Sequence, residues 1–243
     1  MSAMQEEIQS LIHQMENRVT YTKGKRKYYT GTLFNREVVL VFSRWGKVAS
    51  ATTATQLIND FNLRELIFTG VAGAVSPILN IGDIVIGKGL VQHDMNAFPL
   101  YKSFEIPLLH KTFFITNSDN RKKMHSACDT FIKAHTSVIP KEDLETLHIV
   151  APKVLIGDIA SGDQFVSTKA QVDFLNSNLK TVLCTEMEGA SVAQVCYEYD
   201  MPFSIIRIIS DNANSNSSVD FPVFAKKIAS KYALHILENY FKY

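Results

Sequence analysis

Residues 202–214 read PFSIIRIISDNAN, an apolar run with one arginine at its centre and an aspartate at its end. Period-two alternation puts Ile205, Arg207, Ile209 and Asp211 on one face of a strand, with Asp211 just past its end. A guanidinium buried there destabilises the fold strongly unless a carboxylate reaches it. Arg207 therefore implies an acidic partner from elsewhere in the chain. A structural ion pair and an aspartate capping the next turn account for the segment without any function.

The neighbouring stretch, VLCTEMEGASVAQVCYEYD (182–200), reads as a strand running straight into a helix. Thr185-x-x-Glu188 fits a capping box, with Thr185 as N-cap and Glu188 folding back onto its amide, while Glu186 complements the helix dipole. That account uses both glutamates structurally. Open α/β sheets, however, bind ligands at the carboxyl ends of their strands, and Glu188 and Asp211 both fall at such ends. Two carboxylates at one rim are a site pattern.

Outward from these two segments, strands are expected at 28–33, 38–42, 66–69, 83–91, 182–184 and 203–209, the first two forming a hairpin through Asn35-Arg36. Several are apolar on both faces, as in a covered parallel or mixed sheet. Helical periodicity covers 5–15, 47–61, 121–135, 169–176, 186–199 and 221–240. In the last, Phe221, Phe224, Ile228, Tyr232, Ile236 and Tyr240 make one apolar stripe. Alternating strands and helices give an α/β layered fold. A TIM barrel is disfavoured because eight strand–helix units cannot be counted and the early strands form a hairpin.

The 243 residues contain no repeat or linker, so one domain over 1–243 is expected. With 46% hydrophobic and 20% charged residues the chain is globular in composition rather than disordered. A net charge of +1 leaves no excess for a nucleic-acid partner. The three cysteines lack any C-x-x-C spacing, no apolar run is long enough for a bilayer, and the first residues are acidic; a cytoplasmic protein with buried thiols is expected. The Asn216-Ser217-Ser218 sequon is then only a polar loop.

Three further segments have ordinary explanations by themselves. Glu6 and Glu7 in AMQEEIQSLI sit where acidic groups complement a helix dipole. Gly46 in SRWGKVASA and Gly70 and Gly73 in TGVAGAV mark tight turns that admit close approach, but match no P-loop or dinucleotide fingerprint. Phe165 and Val166 follow a Gly-Asp turn in IASGDQFVST, where an aromatic is usually core. His93 and Asp94, adjacent on a strand, point to opposite faces, so no metal site is assigned.

Together, AMQEE, SRWGKVASA, TGVAGAV, LNIGDIVI, QHD, SGDQF, TEMEGASVAQVC and IRIISDNAN occur in an order that resembles the methylthioadenosine/S-adenosylhomocysteine nucleosidases of the purine nucleoside phosphorylase superfamily. The likeness spans nearly the whole chain and is weakest over 100–153. It implies a three-layer α/β/α fold around a central mixed, partly barrel-like β-sheet, a homodimer, and hydrolysis of the N-glycosidic bond of a 5′-thioadenosine without cofactor. By position, Asp211 would protonate the purine, supported by Ser210, and Glu7 would activate water. Arg207 would orient the carboxylates and water.

Glu188, with Met187 before it and Glu186 beside it, would bind the ribose side. Phe165 would stack on adenine, the Val166 backbone would read its edge, Val71 and Gly73 would line the turn, and Phe221 would line the apolar 5′ end. The resemblance also marks departures. Only Met1 and Ser2 precede the AMQEE motif where the family has a strand, so the central strand is shortened or the start codon is assigned late, and the placement of Glu7 turns on that strand. Val71 replaces a serine, and Arg44-Trp45 replaces a small pair. The segment after His93-Asp94 also departs from the commonest family version, and it borders the 5′ side.

Such a site fits the chemistry. Glycosidic cleavage builds positive charge on the sugar and negative charge on the departing base, so it needs anions near the ribose and a proton donor at the purine. Two other functions fit the same fold. A phosphate-dependent nucleoside phosphorylase needs a cationic phosphate cradle, for which TGVAGA offers nothing and Arg44 is the available cation. A catalytically silent nucleoside-binding protein would follow from a misplaced Glu7.

Overall fold

The computed structural model describes residues 1–214 and 217–242, so Asn216 of the sequon lies outside the described residues. A 3₁₀ turn, Gln5–Glu7, leads into helix α1 (Gln9–Gln14) and the antiparallel meander β1 (Glu16–Lys23), β2 (Arg26–Leu33) and β3 (Arg36–Val41). Then come α2 (Lys47–Asp60), β4 (Leu66–Ala74), β5 (Ile84–Gln92), β6 (Phe114–Ile115), α3 (Ser118–Val138) and α4 (Lys141–Thr146). The last part holds β7 (Val154–Ser161), α5 (Lys169–Asn178), β8 (Val182–Glu186), α6 (Gly189–Glu198) and β9 (Phe203–Asp211). It ends in α7 (Ser217–Phe224), a π-helical stretch Ala225–Ala229, and α8 (Ser230–Tyr240).

The larger sheet runs β6-β5-β7-β8-β4-β9, and an added β5–β9 pairing closes five of these strands into a barrel. Three junctions are parallel (β5–β7, β7–β8, β4–β9) and two antiparallel (β4–β8, β5–β9). The mixed, barrel-like α/β fold expected from sequence is thus present, and its five mixed strands exclude the eight-stranded parallel alternative. β9 is buried along its whole length. Ile205 and Ile209 join one core cluster, with Ala190, Ala193 and Cys196 of α6, while Ile206 and Ile208 join another, with Met124 of α3 and Tyr232 of α8. Helices on both sides of the strand explain why it reads as a continuous apolar run.

Each of the six expected strands lies within or largely overlaps an observed one, and three observed strands were not anticipated. β1 is exposed at every position, so it carries no buried face and no alternation. In β7 the apolar run is broken by Gly157-Asp158, and only Ile159–Ser161 are buried. The hairpin turn falls at Phe34-Asn35, both with positive φ (50° and 60°), one residue earlier than expected.

The expected first helix is interrupted at Ile8 (φ −125°), because the Glu7 side chain folds back to accept the Ala3 and Met4 amides. The C-terminal helix begins before Phe221 and contains the π stretch. Residues four apart drift by about 40° per step in a regular α-helix. The wider π turn offsets that drift, and Phe224, Ile228, Tyr232, Ile236 and Tyr240 are all at most 1% exposed.

Met1–Ala3 stitch the two sheets together. Ser2 pairs in parallel with Phe42, and the Thr69 amide donates to the Met1 carbonyl (3.0 Å). The short segment therefore occupies the strand position between β3 and β4. Glu7 follows it with its side chain buried.

Candidate active site

The carboxyl ends of β4, β7, β8 and β9 meet at one rim: Gly73 pairs with both Thr185 and Asp211, and Ser161 with Glu186. A cleft opens there, and every expected site residue except Arg207 lines it. In β9 a register shift beside Ala72/Gly73 interrupts the alternation, so Ser210 and Asp211 both face the cleft. Ser210 Oγ donates to Asp211 Oδ2 (2.9 Å), and the Ala213 amide donates to Oδ1 (2.8 Å).

Glu7 arrives from the opposite wall. Its Oε1 accepts the Val71 amide (3.1 Å), and its Oε2 accepts the Ala3 and Met4 amides (2.9 Å each). Burial raises its carboxyl above the usual range, against the opposing pull of these amides and Arg207. Gly70 makes the approach possible, since a Cβ there would stand 2.9 Å from Glu7 Oε1 and 3.4 Å from Arg207 Nη1. At Gly73 a Cβ would stand 3.0 Å from Asp211 Oδ1. Val71 therefore serves through its backbone, whatever hydroxyl the family carries there.

The glutamates of β8 and α6 exchange the parts that spacing suggested. The helix starts at Gly189, too late for Thr185 to cap it, and Glu188 makes no side-chain cap bond. Glu186 does the capping, accepting the Glu188 amide (3.1 Å) and the Gly189 amide (2.8 Å), with a short hydrogen bond from Ser161 Oγ. It is also the partner that Arg207 demanded, with Nη2 to Oε2 at 2.6 Å. Arg207 is 1% exposed and lies behind this carboxylate, outside the cleft, so its influence passes through Glu186.

That leaves the Glu188 side chain to face the cleft, anchored by the Gly46 amide on Oε1 (2.8 Å). Burial, and then the neighbouring Glu186, push its carboxyl up to about 8. A folded value above the ordinary one means that the native protein holds the extra proton. The contribution of this group to stability is therefore fully present below about pH 4.5 and is lost as pH rises through about 8. Glu188→Gln keeps the oxygen that Gly46 needs and removes the buried charge. Its thermal midpoint should exceed the parent's at pH 8, with the gap closing towards pH 4.5. A parent that gains on the variant as pH rises would contradict this.

Along the outer wall Phe165 is 42% exposed and Val166 is buried. Phe221 stands edge-on to Phe165 (6.1 Å between centroids) and to Trp45 (6.0 Å). Ala3, Met4, Trp45, Ala72, Gln164 and Thr185 complete the lining; spacing alone did not mark them as site residues. Among the described residues that line the cleft there is no lysine or arginine. Arg44 turns away, donating to the Lys25 carbonyl at the β1–β2 turn.

The site is thus an acidic cleft with one aromatic wall, at the rim of a mixed five-stranded barrel. Residues 1–242 match the family model described as the phosphorylase superfamily. The chain is 34% identical over 228 residues to a 5′-methylthioadenosine/S-adenosylhomocysteine nucleosidase of Anoxybacillus flavithermus, covering 93% of this chain and 90% of that one. It is also 34% identical over 209 residues to an aminodeoxyfutalosine nucleosidase of Helicobacter pylori (85% and 80%). A solved methylthioadenosine/S-adenosylhomocysteine nucleosidase of Streptococcus pneumoniae, bound to the transition-state inhibitor MT-ImmA, superposes with a TM-score of 0.83 at 29% identity, covering 99% and 96% of the two chains. The chain belongs to the methylthioadenosine/S-adenosylhomocysteine nucleosidase family of this superfamily. It is a nucleosidase, an enzyme that hydrolyses N-glycosidic bonds.

Proposed function

We propose that the substrate is an adenine 5′-thionucleoside, 5′-methylthioadenosine or S-adenosylhomocysteine, cleaved to adenine and the thioribose. One observation carries this reading: Glu7, Glu188 and Asp211 converge from distant segments on one cleft, with Phe165 beside them. Asp211 protonates the five-membered ring of the purine, so that the base departs neutral. Glu188 hydrogen-bonds the ribose hydroxyls, and the positive charge growing on the sugar draws Glu188 and Glu7 into the ionised form that stabilises it. Glu7 takes a proton from the water that captures it. Phe165 stacks on the adenine, the Val166 backbone meets its edge, and Phe221 lines the apolar end.

Hydrolysis rather than phosphorolysis is favoured by the absence of lysine and arginine among the described residues that line the cleft and by the orientation of Arg44. Turnover rather than silent binding is favoured by the position of Glu7. A cytoplasmic homodimer belongs to the same reading. All three cysteines are buried and free, and the exposed Leu100 and Leu108 offer apolar surface that a second copy would cover.

Purified protein should release adenine from 5′-methylthioadenosine in phosphate-free buffer at an undiminished rate. Absolute dependence on added phosphate would establish phosphorolysis instead. The same assay with S-adenosylhomocysteine and aminodeoxyfutalosine ranks the 5′ substituents.

A further inference from the structure

Helix α2 begins at Lys47, and its N-cap residue, Gly46, has no side chain to cap it. The missing acceptor comes from 116 residues further on: Asp163 Oδ1 takes the Lys47 amide (2.8 Å). Asp163 is itself held, since its amide donates to Asp94 Oδ2 (2.8 Å). The ring closes through the Lys47 side chain, whose Nζ lies 2.6 Å from Asp94 Oδ1 and 3.2 Å from Gln92 Oε1. Lys47 and Asp94 are 19% and 16% exposed, sheltered enough for the pair to resist screening. Burial opposes the Asp94 charge, but Lys47 and the Asp163 amide prevail and hold its carboxyl below the usual range.

None of these three residues lines the cleft. Lys47 and Asp163 are each tied to it through their chain neighbours, and Asp94 holds those two together. Gly46, before Lys47, donates to Glu188; Gln164, Phe165 and Val166 follow Asp163 directly. We propose that Lys47, Asp94 and Asp163 form a brace that locks two walls of the cleft together and so positions the Phe165 face. The inference rests on the nucleosidase reading for its consequence in turnover but not for the brace itself. These are positioning residues. A wall that contacts the purine equally before and during bond cleavage contributes uniform binding, so loosening it raises KM and spares kcat.

Asp163 is solvent-exposed, so it can be changed with little disturbance of the core. Asp163→Ala removes the acceptor for Lys47, whereas Asp163→Asn keeps it. In the ligand-free protein, hydrogen exchange should accelerate at 45–48 and 162–166 in Asp163→Ala and return to parental rates in Asp163→Asn. KM for 5′-methylthioadenosine should rise about tenfold in the alanine variant, the size of one lost charge-assisted bond. Its kcat should stay within about threefold, and the asparagine variant should recover most of the KM.

Unchanged exchange, or an asparagine variant no better than alanine, would overturn the brace. Faster exchange with unchanged KM would overturn its positioning role. If the parent neither binds adenine nor cleaves the nucleoside, the nucleosidase reading falls and the exchange rates alone decide the brace.

Discussion

Asp211→Asn should fold like the parent and lose about 10²- to 10⁴-fold in turnover, the range expected when a general acid is removed. The two hydrogen bonds that fix the carboxylate can both be reproduced. The carbonyl oxygen of asparagine can take the Ala213 amide in place of Oδ1. The new NH₂ then faces Ser210, whose hydroxyl rotates to accept it and still has the Ala72 carbonyl to donate to (3.4 Å). Volume and charge-independent geometry are preserved; only the transferable proton is lost. Without it the purine must leave as an anion in a cleft already lined by carboxylates. Release of adenine, adenine affinity and the thermal midpoint are measured together. Near-parental turnover would remove Asp211 from the acid role, and a midpoint that falls in step with the rate would make it structural.

How far the sequence leads is visible in particular residues. Arg207 announced itself because a cation inside an apolar strand is costly, and the need for a partner followed without knowing the fold. Which carboxylate answered could not be read from spacing. Thr185-x-x-Glu188 matched a capping pattern, but the strand extends through Glu186, so the first free amides fall under the Glu186 side chain instead. Local pattern assigned the right job to the wrong glutamate.

Glu7 shows the same limit from the other direction. Its helix-start position looked like dipole complementation, whereas its partner amide at Val71 is 64 residues away. The strands with unbroken apolar runs were legible, whereas β1, exposed throughout, and β7, interrupted by Gly157-Asp158, were not. The brace was hidden for the same reason: QHD, SRWGK and SGDQF each make local sense, and only the barrel brings them together.

The arginine also sets the largest expected effect on stability. Arg207→Met leaves the Glu186 carboxylate buried beside Glu188 and Glu7 with no cation, and such a break costs about 3–5 kcal/mol. For a chain of this length that corresponds to a fall of roughly 6–20 °C in Tm. The loss goes beyond one ion pair. Arg207 Nη1 also donates to the carbonyls of Phe68 (3.2 Å) and Ile206 (3.0 Å), and the guanidinium lies 4.2 Å from the centre of the Phe68 ring.

A double-mutant cycle separates these contributions. Glu186→Gln alone strands the guanidinium, while Arg207→Met with Glu186→Gln removes both charges and keeps an acceptor for the Gly189 amide. The double variant should therefore be more stable than the sum of the single losses predicts, and more stable than Arg207→Met itself at neutral pH. The advantage should shrink in acid, where protonation neutralises the stranded Glu186 of the single variant. Urea or thermal unfolding at pH 5 and pH 7.5 reads both effects. Additive losses that do not change with pH would show that Arg207 holds the barrel through its carbonyl and ring contacts alone.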